Sequence, residues 1–306
     1  LHRYCPEMVN GGPTTNAIKG ASLKLDDGGP EARAIEHVRS LAEGTGINAS
    51  LPITVHFHPD RMLAGVPLLD LLTKDGVYRS QFETGTSNGG LTAFVGGQRW
   101  IWEQRIFGGA YDDHPPARRP KYGSLNYRNR SVGGSPRFGS CYLRLDSSVI
   151  DRATFCFPDS FFEPVHFGTA SRMALFEHAE KSDRDELDRY IEAQVHGPML
   201  IPRDCCALVL DPSFRGTSVD EQARQLASVH GLTIEWHAGF RAPIELLEAH
   251  PDYRGHEVVE LARLIARGQV LTPELIGQAA NSDGYDSQLL KRVWHMLARF
   301  GCQEPR

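Results

Sequence analysis

The run from Tyr190 to Leu200, YIEAQVHGPML, alternates apolar Ile191, Ala193 and Val195 with polar Glu192, Gln194 and His196. A period of two predicts a strand with its three polar groups on one face. That face meets solvent, as on a plain edge strand, or it lines a site. A second strand is predicted in PITVHFHPDR, where β-branched residues run into His56, His58, Asp60 and Arg61. A cleft between two such strands would bring one carboxylate and a cluster of imidazoles together.

Helical spacing of Ala34, Ile35, Val38 and Leu41, with Pro30 near the start and Gly44 as the stop, predicts a first helix. PLLDLLTKDG predicts a short helix ending at Gly76. From there the segments GVYRSQFETG, LTAFVGG, RWIWEQRIFGG, SCYLRLD and ATFCFPD read as short strands set apart by glycine turns. SRMALFEHAEK has helical spacing, IPRDCCALVLDPSF and TIEWHAGF predict strands, and VDEQARQLASVHG between them predicts an amphipathic helix. Beyond Pro243 the pattern turns helical, with Thr272 and Pro273 as a cap and first-turn pair. The expected organisation is a loosely ordered lead-in over 1–28, an α/β body over 29–242 and a helical segment over 243–306.

Bulk properties narrow the class without choosing a function. The chain has 306 residues, 41% hydrophobic and 23% charged, enough to bury a full core. A net charge of -5 gives no bulk attraction to nucleic acid or to an acidic membrane surface. Local basic clustering between Arg118 and Arg144 is read first as a solvated loop. The six cysteines form no CxxC pair, so neither a zinc ribbon nor a disulfide framework is indicated, and a reducing cytosol fits best. No run reaches the length of a membrane span, and LHRYCPEMVNGG lacks the apolar core of a signal peptide. A cytoplasmic protein, or one delivered as an effector, is expected, with no membrane partner.

Three constellations carry possible chemistry. In VHFHPDR the two imidazoles share a strand face, as in some metal-dependent hydrolases, although no second ligand motif accompanies His56 and His58. In VYRSQFETGTSNGG, Tyr78, Ser80 and Phe82 share a face, and the glycine-rich end lacks the lysine of a phosphate-binding loop, so a tight hairpin is favoured. The segment from Trp100 to Arg130 concentrates Trp102, Arg105, Tyr111, Asp112, Asp113, Arg119, Lys121 and Tyr122, more than a connector needs. Aromatic faces and arginine forks suit a base and a phosphate, so this segment is expected to border the cleft.

VHFHPDR, VYRSQFETGTSNGG, RIFGGAYDD, RPKYGSLNYR, FGSCYLRL and YIEAQVHG, in this order over roughly residues 50 to 240, resemble an uncharacterised bacterial family associated with the ADP-ribosyltransferase-like fold. The resemblance implies an α/β (α+β) fold with a split, antiparallel-rich sheet and flanking helices. It implies NAD as substrate, ADP-ribose transfer to an unknown acceptor or hydrolysis of NAD, and no metal. His56 would contact the ribose or phosphates, with His58 and Arg61 as close competitors. Tyr78 or Ser80 would pack on the nicotinamide side, with Phe82, Gln194 and His196 as further binding residues, and Glu192 would be the catalytic carboxylate. The arginine-modifying toxins of that fold carry Gln or Glu two residues before the catalytic Glu; Tyr190 stands there in this chain. Their Ser-Thr-Ser strand start is also absent, so a His, Tyr, Glu style of site is the better analogy. The alternatives are a metal-dependent hydrolase built on His56 and His58, and a non-enzymatic binding module.

Overall fold

The computed structural model describes residues 22–85, 92–266, 268, 270–282 and 284–304. Twelve strands occur among them. In chain order these are β1 (Ile53–Phe57), β2 (Met62–Leu63), β3 (Val66–Pro67), β4 (Val77–Tyr78), β5 (Lys121–Leu125) and β6 (Cys141–Leu145), followed by β7 (Ala153–Phe157), β8 (His166–Thr169), β9 (Ile191–Val195), β10 (Met199–Leu200), β11 (Cys205–Leu210) and β12 (Thr233–Trp236). Eight form one sheet in the order β12-β11-β6-β1-β5-β9-β7-β8, while β10 pairs with β4 and β2 with β3. Every pairing is antiparallel except β11 with β12, so the fold is mixed α/β with an antiparallel-rich sheet.

Alternation along the strands divides the sheet into an apolar and a polar face. Val55, Leu143, Phe155, Ile191, Ala193 and Leu208 belong to the main core, which the helices Leu68–Asp75, Leu175–Lys181 and Ser218–His230 complete. The register places Thr54 opposite Ser124, Ser124 opposite Glu192, Tyr122 opposite Gln194 and Thr154 opposite Gln194 on the other face. Helix Pro30–Leu41 and the segment after Gly97 cover part of that polar face through Ala34, Val38, Ile106, Phe107 and Tyr111.

The sheet opens between two neighbours. β1 pairs with β5 only at Ile53 and Thr54, although its pairing with β6 continues to Phe57. Beyond that point His56 and His58 on one side and Tyr122 on the other border cavities instead of bonding across. The loop after Arg130 packs into the divergence, and Gly139 lies so close that a Cβ there would stand 2.2 Å from the carbonyl of Phe57.

The C-terminal helices His256–Ala266, Pro273–Ala280 and Ser287–Phe300 have their own core around Val258, Ala262, Val293 and Trp294. Val132, Leu187 and Phe240 join it from the body. Trp294 Nε1 donates to the carbonyls of Pro136 at 3.0 Å and Arg137 at 3.1 Å, tying these helices to the loop beside the opening. Thr272 caps its helix as expected, accepting from Leu275 N–H at 3.4 Å.

Two expected strands are helices. RWIWEQRIFGG alternates its tryptophans like a strand, yet Arg99, Glu103 and Ile106 recur at helical spacing, and burying that stripe gives helix Gln98–Ile106. VYRSQFETG is extended only at Val77–Tyr78, because Ser80 and Glu83 form a reciprocal capping box that starts helix Gln81–Thr84. Of the glycine-rich end of that segment, 86–90 lies outside the described residues.

Candidate active site

A cavity of about 250 Å³ occupies the opening, with Glu192, His56, Tyr78, Tyr122, Trp102 and Arg99 in its wall. A second chamber of about 200 Å³ adjoins it, and Tyr78, Gln81 and Tyr122 line both. Leu68, Leu71 and Leu72 make the second chamber apolar on one side, with His58 and Arg61 among its polar groups. Residues from chain positions as distant as 56 and 192 therefore share one cavity.

Glu192 is 6% exposed. Its Oε1 accepts from Gln194 Nε2 at 2.9 Å, and its Oε2 accepts from Ser160 Oγ at 3.0 Å and the Ser160 N–H at 3.3 Å. Burial, and then the neighbouring Asp159 carboxylate, push its carboxyl above the ordinary range, while Arg99 and these hydrogen bonds pull the other way. Arg99 reaches Glu192 through Ser160, whose Oγ accepts from Arg99 Nη1 at 2.8 Å. The guanidinium lies over the rings of Tyr122 at 4.4 Å and Trp102 at 4.9 Å, and its Nε is buried with no hydrogen-bond partner among the described residues. Asp159 is held by the Tyr190 hydroxyl. The result is a shielded carboxylate with the Arg99 cation close to it and an aromatic wall.

His56 faces this cavity with both nitrogens engaged. The Gly139 carbonyl lies 3.1 Å from Nδ1, and Nε2 accepts from the Ser135 N–H at 3.3 Å, which assigns the proton to Nδ1. Burial lowers its pKa to about 3, so the ring is neutral. His58 belongs to the other chamber, edge-on to Trp294 at 5.2 Å, and desolvation lowers it to about 4. The HxH pair thus divides between two spaces. Tyr78 stands in the wall common to both, and burial pushes its phenol up to about 12.

The remaining expected residues fall into two groups. Gln194 supports Glu192, and Arg61 lines the second chamber. Ser80 caps its helix and donates to the Pro116 carbonyl at 2.8 Å, Phe82 carries the Arg119 guanidinium 4.3 Å above its ring, and His196 is buried behind Gln194. From the Trp100–Arg130 segment, Trp102 and Tyr122 border the first chamber, and Lys121 and Tyr122 the second. Arg119 instead pairs with buried Glu103 at 2.6 Å and is consumed inside the protein, whereas Lys121 lines the second chamber while its ammonium donates to three carbonyls. Sequence reasoning missed Arg99, Asp159 and Ser160. The pattern Asp-Ser directly after a strand, where Asp159 accepts from the Phe161 N–H, was the signal for a built turn at that spot.

Among the described residues no group of three or more His, Cys, Asp or Glu could hold a metal ion, and no helix is long and apolar enough to cross a membrane. Fold and cavity together define a mixed α/β protein with a buried carboxylate at an opening in its sheet. Residues 52–175 and 171–300 match the family model described as Protein of unknown function (DUF3626), and the chain belongs to that family. No curated protein matches it.

Proposed function

We propose that the paired chambers bind NAD and that Glu192 assists departure of nicotinamide, so that ADP-ribose passes to an acceptor or to water. The observation that carries this reading is the meeting of His56, Tyr78 and Glu192, distant in sequence, in the wall of one aromatic-lined cavity. Breaking the ribosyl C1′–N bond sends its electron pair to the nicotinamide ring and leaves positive charge on the ribose. An ionised Glu192 stabilises that charge and then takes the proton of the attacking hydroxyl. Trp102 and Tyr122 offer flat faces for the departing ring, and the Arg99 guanidinium over both rings keeps a positive charge beside the carboxylate. We assign the nicotinamide riboside to the first chamber and the adenylate half to the second, where leucines face Arg61.

His56 has no nitrogen to spare and does not share a chamber with His58, which weighs against the metal-hydrolase reading. The NAD reading also places the protein's action in the cytoplasm, whether made there or delivered as an effector. Calorimetric titration with NAD, before and after chelator treatment, separates the readings. Saturable NAD binding insensitive to the chelator is expected. No heat of binding in either state, or binding lost with the metal, would reject the proposal.

A further inference from the structure

We infer that Tyr111, His196, Thr154 and Gln194 form an oriented hydrogen-bond chain whose task is to hold Glu192 as a carboxylate in one position. The links are Tyr111 Oη to His196 Nδ1 at 2.6 Å, His196 Nε2 to Thr154 Oγ1 at 2.9 Å, Thr154 Oγ1 to Gln194 Oε1 at 2.8 Å and Gln194 Nε2 to Glu192 Oε1 at 2.9 Å. His196, Thr154 and Gln194 show no exposed surface, and Tyr111 is 1% exposed.

The direction of every proton follows from the carboxylate end. An ionised Glu192 only accepts, so Gln194 turns its amide nitrogen toward it and its oxygen toward Thr154. Thr154 has one proton and gives it to Gln194, so it must accept from His196 Nε2–H. His196 Nδ1 is then bare and accepts from Tyr111. A neutral imidazole is required for one nitrogen to donate while the other accepts. Burial, with Arg152 and Lys121 nearby, keeps His196 neutral by lowering its pKa to about 3. Tyr111 lies parallel to the His196 ring at 6.0 Å and Phe107 meets it edge-on at 5.2 Å, which fixes the imidazole plane.

Glu192 is faced from the other packed elements by Arg99, Asp159 and Cys156, and its cavity is also bordered by Tyr122, Tyr190 and His56. Arg137 and Lys291 line the same cavity. On Oε1 the Gln194 amide is joined by the Cys156 thiol, a weaker donor at 3.7 Å, while Ser160 occupies Oε2. These four are positioning residues, and their effect on rate rests on the NAD reading; their effect on Glu192 itself does not.

The test uses Tyr111→Phe and Thr154→Val in the full chain. Titration of the Glu192 carboxyl, followed by carbon NMR in ligand-free protein, is expected to move upward by about half a pH unit or more in both variants. Nicotinamide release from NAD should fall about two- to threefold on the acid side of the pH profile, recover toward high pH, and leave KM within about twofold. Unaltered Glu192 titration in a folded Tyr111→Phe protein overturns the inference, even if Thr154→Val does not fold, because that change removes only the hydroxyl and keeps the buried ring. If wild-type protein releases no nicotinamide, the NAD reading falls while the carboxyl titration still decides the chain.

Discussion

Glu192 is accessible to a ligand and yet satisfied on both oxygens, a combination that keeps a buried carboxylate ordered before substrate arrives. His56 plays the complementary part as a neutral, doubly bonded ring. Its folded pKa of about 3 lies below the ordinary value of 6.5, so the unfolded chain takes up the proton first as pH falls. Its contribution to stability is complete above pH 6.5 and is lost downward toward pH 3, by about 1.4 kcal/mol per pH unit. Denaturant unfolding at pH 7 and 4.5 should therefore show a smaller acid loss for His56→Gln than for wild type. Equal losses would show that His56 is protonated in the folded protein. At this scale the sequence was informative where alternation was strict: Glu192 and Gln194 share a face, as read. It was silent on Arg99 and Ser160, because each meets Glu192 only through tertiary packing.

Glycines decide how closely the elements around the site approach. The loop carrying Pro136–Phe138 lies against β1 because Gly139 has no side chain; a Cβ would meet the backbone of Phe57 rather than a movable side chain. Gly139→Ala is expected to lower unfolding free energy by about 1–3 kcal/mol, an overpacking cost, measured by urea denaturation. A neutral result would mean that the loop is free to lift away from β1. Elements were legible where one periodicity dominated, as in Ile53–Phe57, Ile191–Val195 and Ser218–His230. They were not where two patterns competed. Gln98–Ile106 offers strand-like tryptophans and a helical stripe, and burial of the stripe wins. Lys121–Leu125 was hidden in a supposed loop, since KYGSL has a central glycine and few apolar residues; neighbours on both sides make it a strand.

The whole molecule arranges an apolar sheet face under helices, a polar face with an opening, and a helical segment pinned to the loop beside it by Trp294. The α/β class and the helical C-terminal segment could be read from the sequence, because they depend on patterns within single segments. The opening could not, since it arises from β1 and β5 parting after Thr54. This arrangement makes the central claim a statement about one carboxylate in one cavity. Glu192→Gln keeps size and hydrogen bonding capacity but removes the charge, so NAD binding should persist while nicotinamide release falls on the order of a hundredfold or more. The decisive measurement is nicotinamide release from NAD by wild type and by Glu192→Gln at equal, calorimetrically verified NAD occupancy. Release by wild type with loss in the variant is the predicted result; equal release by both proteins, or none by wild type, would contradict it.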